Sequence, residues 1–161
     1  MVIAALGLLA VSGGHLRPTA HVEATIVGVG ERLAVPAGYL RVDKVRPDII
    51  SHDPKQHTTA LPDPLPDGYR RFYVDVSLSG EDTRLFYSPE KFTVTAPGFA
   101  AVAPHRAAEA AGVVYEGQAV SITMMFQVAA DAHGLVLHFD GQDAGVALDD
   151  SAAGDRDNHS H

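Results

Sequence analysis

Residues 120–128 read Val-Ser-Ile-Thr-Met-Met-Phe-Gln-Val, with an apolar side chain at every even position. Ser121, Thr123 and Gln127 between them are polar, and Met125 is the one exception. Period-2 alternation over nine residues demands a strand with one buried and one wet face. Phe72 to Leu78 repeats the pattern, with Phe72, Val74, Val76 and Leu78 on one side and Tyr73, Asp75 and Ser77 on the other. Half-buried strands of this kind belong to antiparallel sheets packed on a core. The chain is therefore expected to be all-β.

A length of 161 residues suits one domain with a real core, and 46% hydrophobic content can fill it. The net charge of −8, with twelve scattered basic residues, leaves no footprint for nucleic acid. The densest basic groups are Arg70-Arg71 and Arg41, Lys44, Arg46. There is no cysteine, so disulfides, thiolate metal sites, a cysteine nucleophile and an acylated cysteine anchor are excluded. Val2 to Val11 is an apolar run followed by Ser12-Gly13-Gly14. Its length matches the apolar region of an export signal and is too short to span a bilayer. A basic segment ahead of it is missing. Residues 1–14 are read as a signal peptide or anchor remnant, the other reading being a buried N-terminal strand or helix. The expected location is extracytoplasmic (secreted, periplasmic or envelope-anchored), touching membrane only through this segment.

Residues 15–21 read as a linker, 22–148 as the folded domain and 149–161 as a disordered acidic and histidine-bearing tail. Strands are expected at 21–29, 32–36 and 39–45, the last two flanking a turn at Ala37-Gly38. Val45 breaks the alternation, which predicts a bulge. Residues 47–68 contain Pro47, Pro54, Pro62, Pro64 and Pro66 and read as a long loop. Further strands are expected at 71–79, 84–87, 91–95, 119–128 and 134–140. A short helix is expected near 106–111, capped by Gly112. Seven to eight short strands with frequent turns indicate an immunoglobulin-like antiparallel β-sandwich.

Three stretches carry a family resemblance. They are RLAVPAGYLRVDKV after the Gly30-Glu31 turn, RFYVDVSLSGEDTRLFYSPEKFTV, and GVVYEGQAVSITMMFQVAADAHGLVLHFD. Over roughly residues 22–141 the chain resembles the bacterial immunoglobulin-like family of the immunoprotective extracellular protein type. These are small secreted or membrane-tethered β-sandwiches. The resemblance implies fold and export, and carries no catalytic residues across. The chain departs from it in the proline-rich 47–68 insert and in its histidines.

Nine histidines raise the question of metal, because imidazole is a common ligand for copper and zinc. If 120–128 and 134–140 form a hairpin, Met125 falls opposite His138 on an outer face, a pair suited to copper. The plainer reading is an ordinary cross-strand pair. His52, Asp53 and His57 form a second candidate ligand set, or simply a polar loop. A cut after Gly14 would give His15 a free α-amine able to chelate copper, though cuts after Ser12 or Ala20 fit as well. His159 and His161 are weak tail ligands at most.

No nucleophile elbow, phosphate loop, zinc-protease motif or dinucleotide fingerprint is present, so no enzyme is expected and no cofactor is required. The reading is a non-catalytic binding or accessory module acting through protein–protein interaction in the cell envelope, with a membrane complex as one candidate partner. Its contact surfaces would be 47–68 and an outer sheet face, with Tyr69, Phe86, Tyr87 and Phe99 as aromatic anchors. The alternative is an extracytoplasmic copper or zinc carrier using Met125, His138, His52, His57 and His15.

Overall fold

A computed structural model describes residues 23–48 and 64–148. The expected segments 1–14, 15–21 and 149–161, and most of 47–68, lie outside these residues. Among the described residues there are eleven strands: β1 (Ile26–Val27), β2 (Arg32–Val35), β3 (Gly38–Pro47), β4 (Tyr69–Gly80), β5 (Leu85–Tyr87), β6 (Phe92–Thr95), β7 (Arg106–Ala107), β8 (Gly112–Val114), β9 (Ala119–Ala129), β10 (Val136–Phe139) and β11 (Gly145–Ala147). The count exceeds expectation because several are only two or three residues long.

β2-β3-β4-β9-β7 make one sheet and β1-β11-β10-β6 the other, while β5 and β8 form a separate ribbon. The pairing is antiparallel except where β1 runs parallel to β11. The two alternating runs that opened the sequence reading lie side by side as β4 and β9, in register from Tyr69↔Ala129 to Ser79↔Ala119. Their inward residues Phe72, Val74, Val76, Leu78, Ile122, Met124, Phe126 and Val128 are all buried. Across the sandwich they meet Phe92, Val94, Leu137, Phe139, Val146 and Leu148. Phe72 stacks on Phe126 with centroids 5.7 Å apart, and Phe92 tilts against Phe139 at 4.9 Å.

The bulge signalled by Val45 is real: the register shifts between Val42 and Lys44, leaving Asp43 extra. The extra residue lets Val42 and Val45 both point inward and be buried. The β2–β3 turn falls one residue earlier than expected. Val35 pairs with Gly38, so Pro36-Ala37 form the turn, and Ala37 takes a φ of 69°. Gly38 is needed inside the strand instead, because a Cβ there would overlap the carbonyl of Ser79 on β4.

Two expectations are corrected. Residues 106–111 form no helix, since six residues gain too few intrahelical bonds to offset nucleation. Arg106–Ala107 are captured as an edge strand, with His105 N donating to Met125 O at 2.8 Å and Ala108 N to Thr123 O at 2.9 Å. Gly112, expected as a helix cap, opens β8 beside the Tyr87 ring, where a side chain would collide. The hairpin expected between 120–128 and 134–140 does not exist either. The 129–135 link crosses from one sheet to the other, so β9 pairs with β4 and β7, and β10 with β6 and β11.

Candidate functional site

Met125 and His138 point to opposite outer surfaces of the sandwich, with the whole core between them. Stacked sheets lie about 10 Å apart before any side chain is added, so the two cannot share a metal ion. Met125 is 4% exposed, seated between its cross-strand neighbours Tyr73 and Arg106. His138 has both ring nitrogens engaged. A carbonyl only accepts, so Nδ1–H donates to Ala144 O at 3.1 Å, leaving Nε2 to meet the Thr95 hydroxyl at 2.9 Å. Neither nitrogen is available to a metal without losing a bond. Among the described residues no three His, Asp or Glu side chains are grouped to hold a metal ion. His15, His52 and His57 lie outside the described residues.

Part of the outer face of the five-stranded sheet, a face expected as a contact surface, is tied up in its own polar bonds. Arg46 grips Asp75 through both carboxylate oxygens at 2.8 and 2.9 Å, and the Thr123 hydroxyl donates to the same carboxylate at 2.8 Å. Those bonds, the Arg46 one foremost, hold the Asp75 carboxyl below its ordinary value. The Glu109 carboxylate takes the Thr123 backbone N–H at 2.9 Å, clamping the segment after β7 to β9. Asp43 accepts from Ser77 and pairs with Arg41. The raised Tyr39 hydroxyl has the same structural character, being bonded to the Glu81 carboxylate.

Four aromatic rings are well exposed among the described residues, two at each end of the sandwich. Tyr69 (49% exposed) and Phe99 (41%) stand at one end, Phe86 (56%) and Tyr115 (50%) at the other. Tyr69, Phe86 and Phe99 were expected from the sequence. Tyr87 is only half-buried beside β8, and Tyr115 was missed.

At the first end two turns of one design present the rings. In Pro66-Asp67-Gly68-Tyr69 the Tyr69 N–H reaches Pro66 O at 3.2 Å, and Gly68 has a φ of 79°. In Ala96-Pro97-Gly98-Phe99 the Phe99 N–H reaches Ala96 O at 3.1 Å, and Gly98 has a φ of 81°. Positive φ at the third turn position suits glycine, and the aromatic that follows is carried to the rim. One turn belongs to each sheet. Between them opens an apolar slot of about 150 Å³, lined by Val94, Val102, Val128, Ala129, Ala132 and Leu135, with both rings at its mouth. Val94 and Val102 exchange backbone bonds at 2.8 Å and fix one wall.

The opposite end is built otherwise. Leu85 and Val114 root the β5–β8 ribbon in the core. Phe86 and Tyr115 then flank an open groove of about 580 Å³ edged by Asp82, Thr83, Arg84 and Glu116. The Arg84 guanidinium lies 5.8 Å from the centre of the Tyr115 ring. This is a broad, open surface where two aromatic rings stand among charged side chains.

The described residues form an immunoglobulin-like β-sandwich with two exposed aromatic rings at each end. In fold the chain is similar to MPT63, a secreted protein from Mycobacterium tuberculosis, with a TM-score of 0.52, 10% identity, and coverage of 80% of this chain and 98% of that one. A weaker likeness (TM-score 0.46, 6% identity, 78% of this chain and 93% of that one) is to an uncharacterized β-sandwich protein from Clostridium difficile. No protein-family profile matches the chain, and no curated protein matches it.

Proposed function

We propose that this protein is a non-catalytic binding module working outside the cytoplasm, and that it docks a polypeptide partner at the slot flanked by Tyr69 and Phe99. The slot carries the proposal. Its size suits one apolar side chain, since a cavity of roughly this volume accepts a benzene-sized group. It is well below the roughly 300–1,000 Å³ of sites that enclose whole small molecules. Exposed aromatic rings around a pocket that desolvates one anchor side chain are a usual form of interaction hot spot.

Asp75 and Glu90 are pushed down, and Tyr39 and Arg46 up, by local hydrogen bonds of a structural kind. None of these groups lines the slot. Export is supported by the apolar run at Val2–Val11, by the resemblance to the immunoprotective extracellular type, and by the likeness to a protein that is itself secreted. The metal-carrier alternative loses its central pair, because Met125 and His138 face away from each other.

Site-specific photo-crosslinking tests the reading. A crosslinker at position 99 should capture a defined partner from the envelope fraction that one at position 86 does not. Adducts at 86 and none at 99 would move the contact surface to the other end.

A further inference from the structure

The inward row of β4 is Phe72, Val74, Val76 and Leu78, and by the same parity it begins with Arg70. A cation in that row sits between the sheets at the slot end, directly opposite Val128 of β9. Its guanidinium lies 5.9 Å from the centre of the Phe72 ring, and one Nη donates to Ala132 O at 2.9 Å. Its Nε is buried without a hydrogen-bond partner. Among the described residues no carboxylate forms an ion pair with it, in contrast to Arg41, Arg46 and Arg71. A partly buried guanidinium with no carboxylate partner is a costly arrangement, and a carboxylate is the group a guanidinium matches best. Val128, its cross-strand partner, and Ala132, whose carbonyl it bonds, are both walls of the apolar slot, so Arg70 stands behind the slot's wall without lining it.

We infer that the slot takes the C-terminal residue of a partner polypeptide, its apolar side chain in the slot and its terminal carboxylate on Arg70. This rests on the docking reading above and names the chemistry of the partner. A chain terminus is the polypeptide group that places a carboxylate one carbon from an apolar side chain. Tyr69 and Phe99 extend the apolar surface past the slot, so the ligand is longer than a single residue. That favours a peptide end over a free small acid.

The test uses the full-length protein, methyl-labelled for NMR, and hexapeptides ending in Leu, Val or Phe, each as free acid and as C-terminal amide. Phenylacetate serves as a small-acid control. The free acids should shift the methyl signals of Val94, Val128, Ala132 and Leu135. They should bind about tenfold or more tightly than the amides, as expected for hydrogen bonds to a charged group. Arg70→Gln should erase that preference while leaving residual binding to the slot. The acid–amide comparison in the unaltered protein decides the matter even if the variant folds poorly. Equal binding of acids and amides at the slot would overturn the carboxylate inference and leave the docking reading intact. Phenylacetate binding more tightly than every peptide would also overturn it. No shift of the slot signals with any peptide would overturn both.

Discussion

The two ends of the sandwich display the same number of exposed rings on different foundations. β4 runs the length of the molecule, about 36 Å at 3.3 Å per residue, from Tyr69 at one end to Gly80 at the other. At the Tyr69 end the rings sit on hydrogen-bonded glycine turns from both sheets, above a slot that reaches the core. At the Gly80 end they sit on or beside a separate two-stranded ribbon, over a broad open groove edged by charged side chains. Equal exposure therefore does not mean equal binding capacity. A ring over an apolar slot lets a partner's side chain bury more of its surface, whereas a ring over an open groove recovers a smaller part of that area.

Substitutions can break or sharpen this contrast. The largest effect is expected from Phe126→Ala, which empties the stack with Phe72 beneath the slot end. A loss of about 3–5 kcal/mol in denaturant unfolding is expected, and a loss below about 1 kcal/mol would show that the slot stands on loose packing. At the other end, Gly80→Ala would press a Cβ into the carbonyls of Tyr115 and Val114. It should cost about 1–3 kcal/mol and shift the signals of Tyr115 and Glu116 without moving those of the slot.

Asp75→Asn lies between the ends and serves as the neutral reference. The pair with Arg46 is part-exposed, so a loss of about 1 kcal/mol is expected. The Asp75 carboxyl is lowered from its ordinary 3.8. Its contribution is therefore complete above that value and is lost as pH falls through the lower, folded one. The difference in Tm between the protein and this variant should narrow only under strongly acid conditions; a gap that persists there would assign the effect to packing. The smallest stability effects, within about 0.5 kcal/mol, are expected from Tyr69→Ala with Phe99→Ala and from Phe86→Ala with Tyr115→Ala. Only the first pair should weaken binding of the free-acid peptides by NMR titration. Equal weakening by both pairs would abolish the distinction between the ends.

Much of the fold was legible because burial imposes a period. Phe72–Leu78 and Val120–Val128 alternate as they do since each strand has one core face, and Val45 marks the bulge because residues three apart, Val42 and Val45, face opposite sides of a regular strand. The same period misled the site. Inward parity at Ile122, Phe126, Leu137 and Phe139 is satisfied whether β9 and β10 are neighbours or lie in facing sheets, so Met125 and His138 were expected together and are in fact a sandwich apart. The slot did leave traces, in the Gly68-Tyr69 and Gly98-Phe99 pairs and in the Arg70-Arg71 doublet. Nothing local says that two turns some thirty residues apart meet at one rim.

The sequence by itself determined the inward apolar rows of β4 and β9, because hydrophobic alternation is a property of each strand alone; the burial of Met125 and Arg71 on the outer face does not follow from it. It determined the all-β class and the exposed rings at Tyr69, Phe86 and Phe99. The tertiary structure decided which strands are neighbours, since backbone ladders form between any two strands of compatible parity and only the packing of the whole core selects among them. That selection separates Met125 from His138, draws Arg106–Ala107 into an edge strand, and sets Arg70 beside the slot as an inward cation without a carboxylate among the described residues.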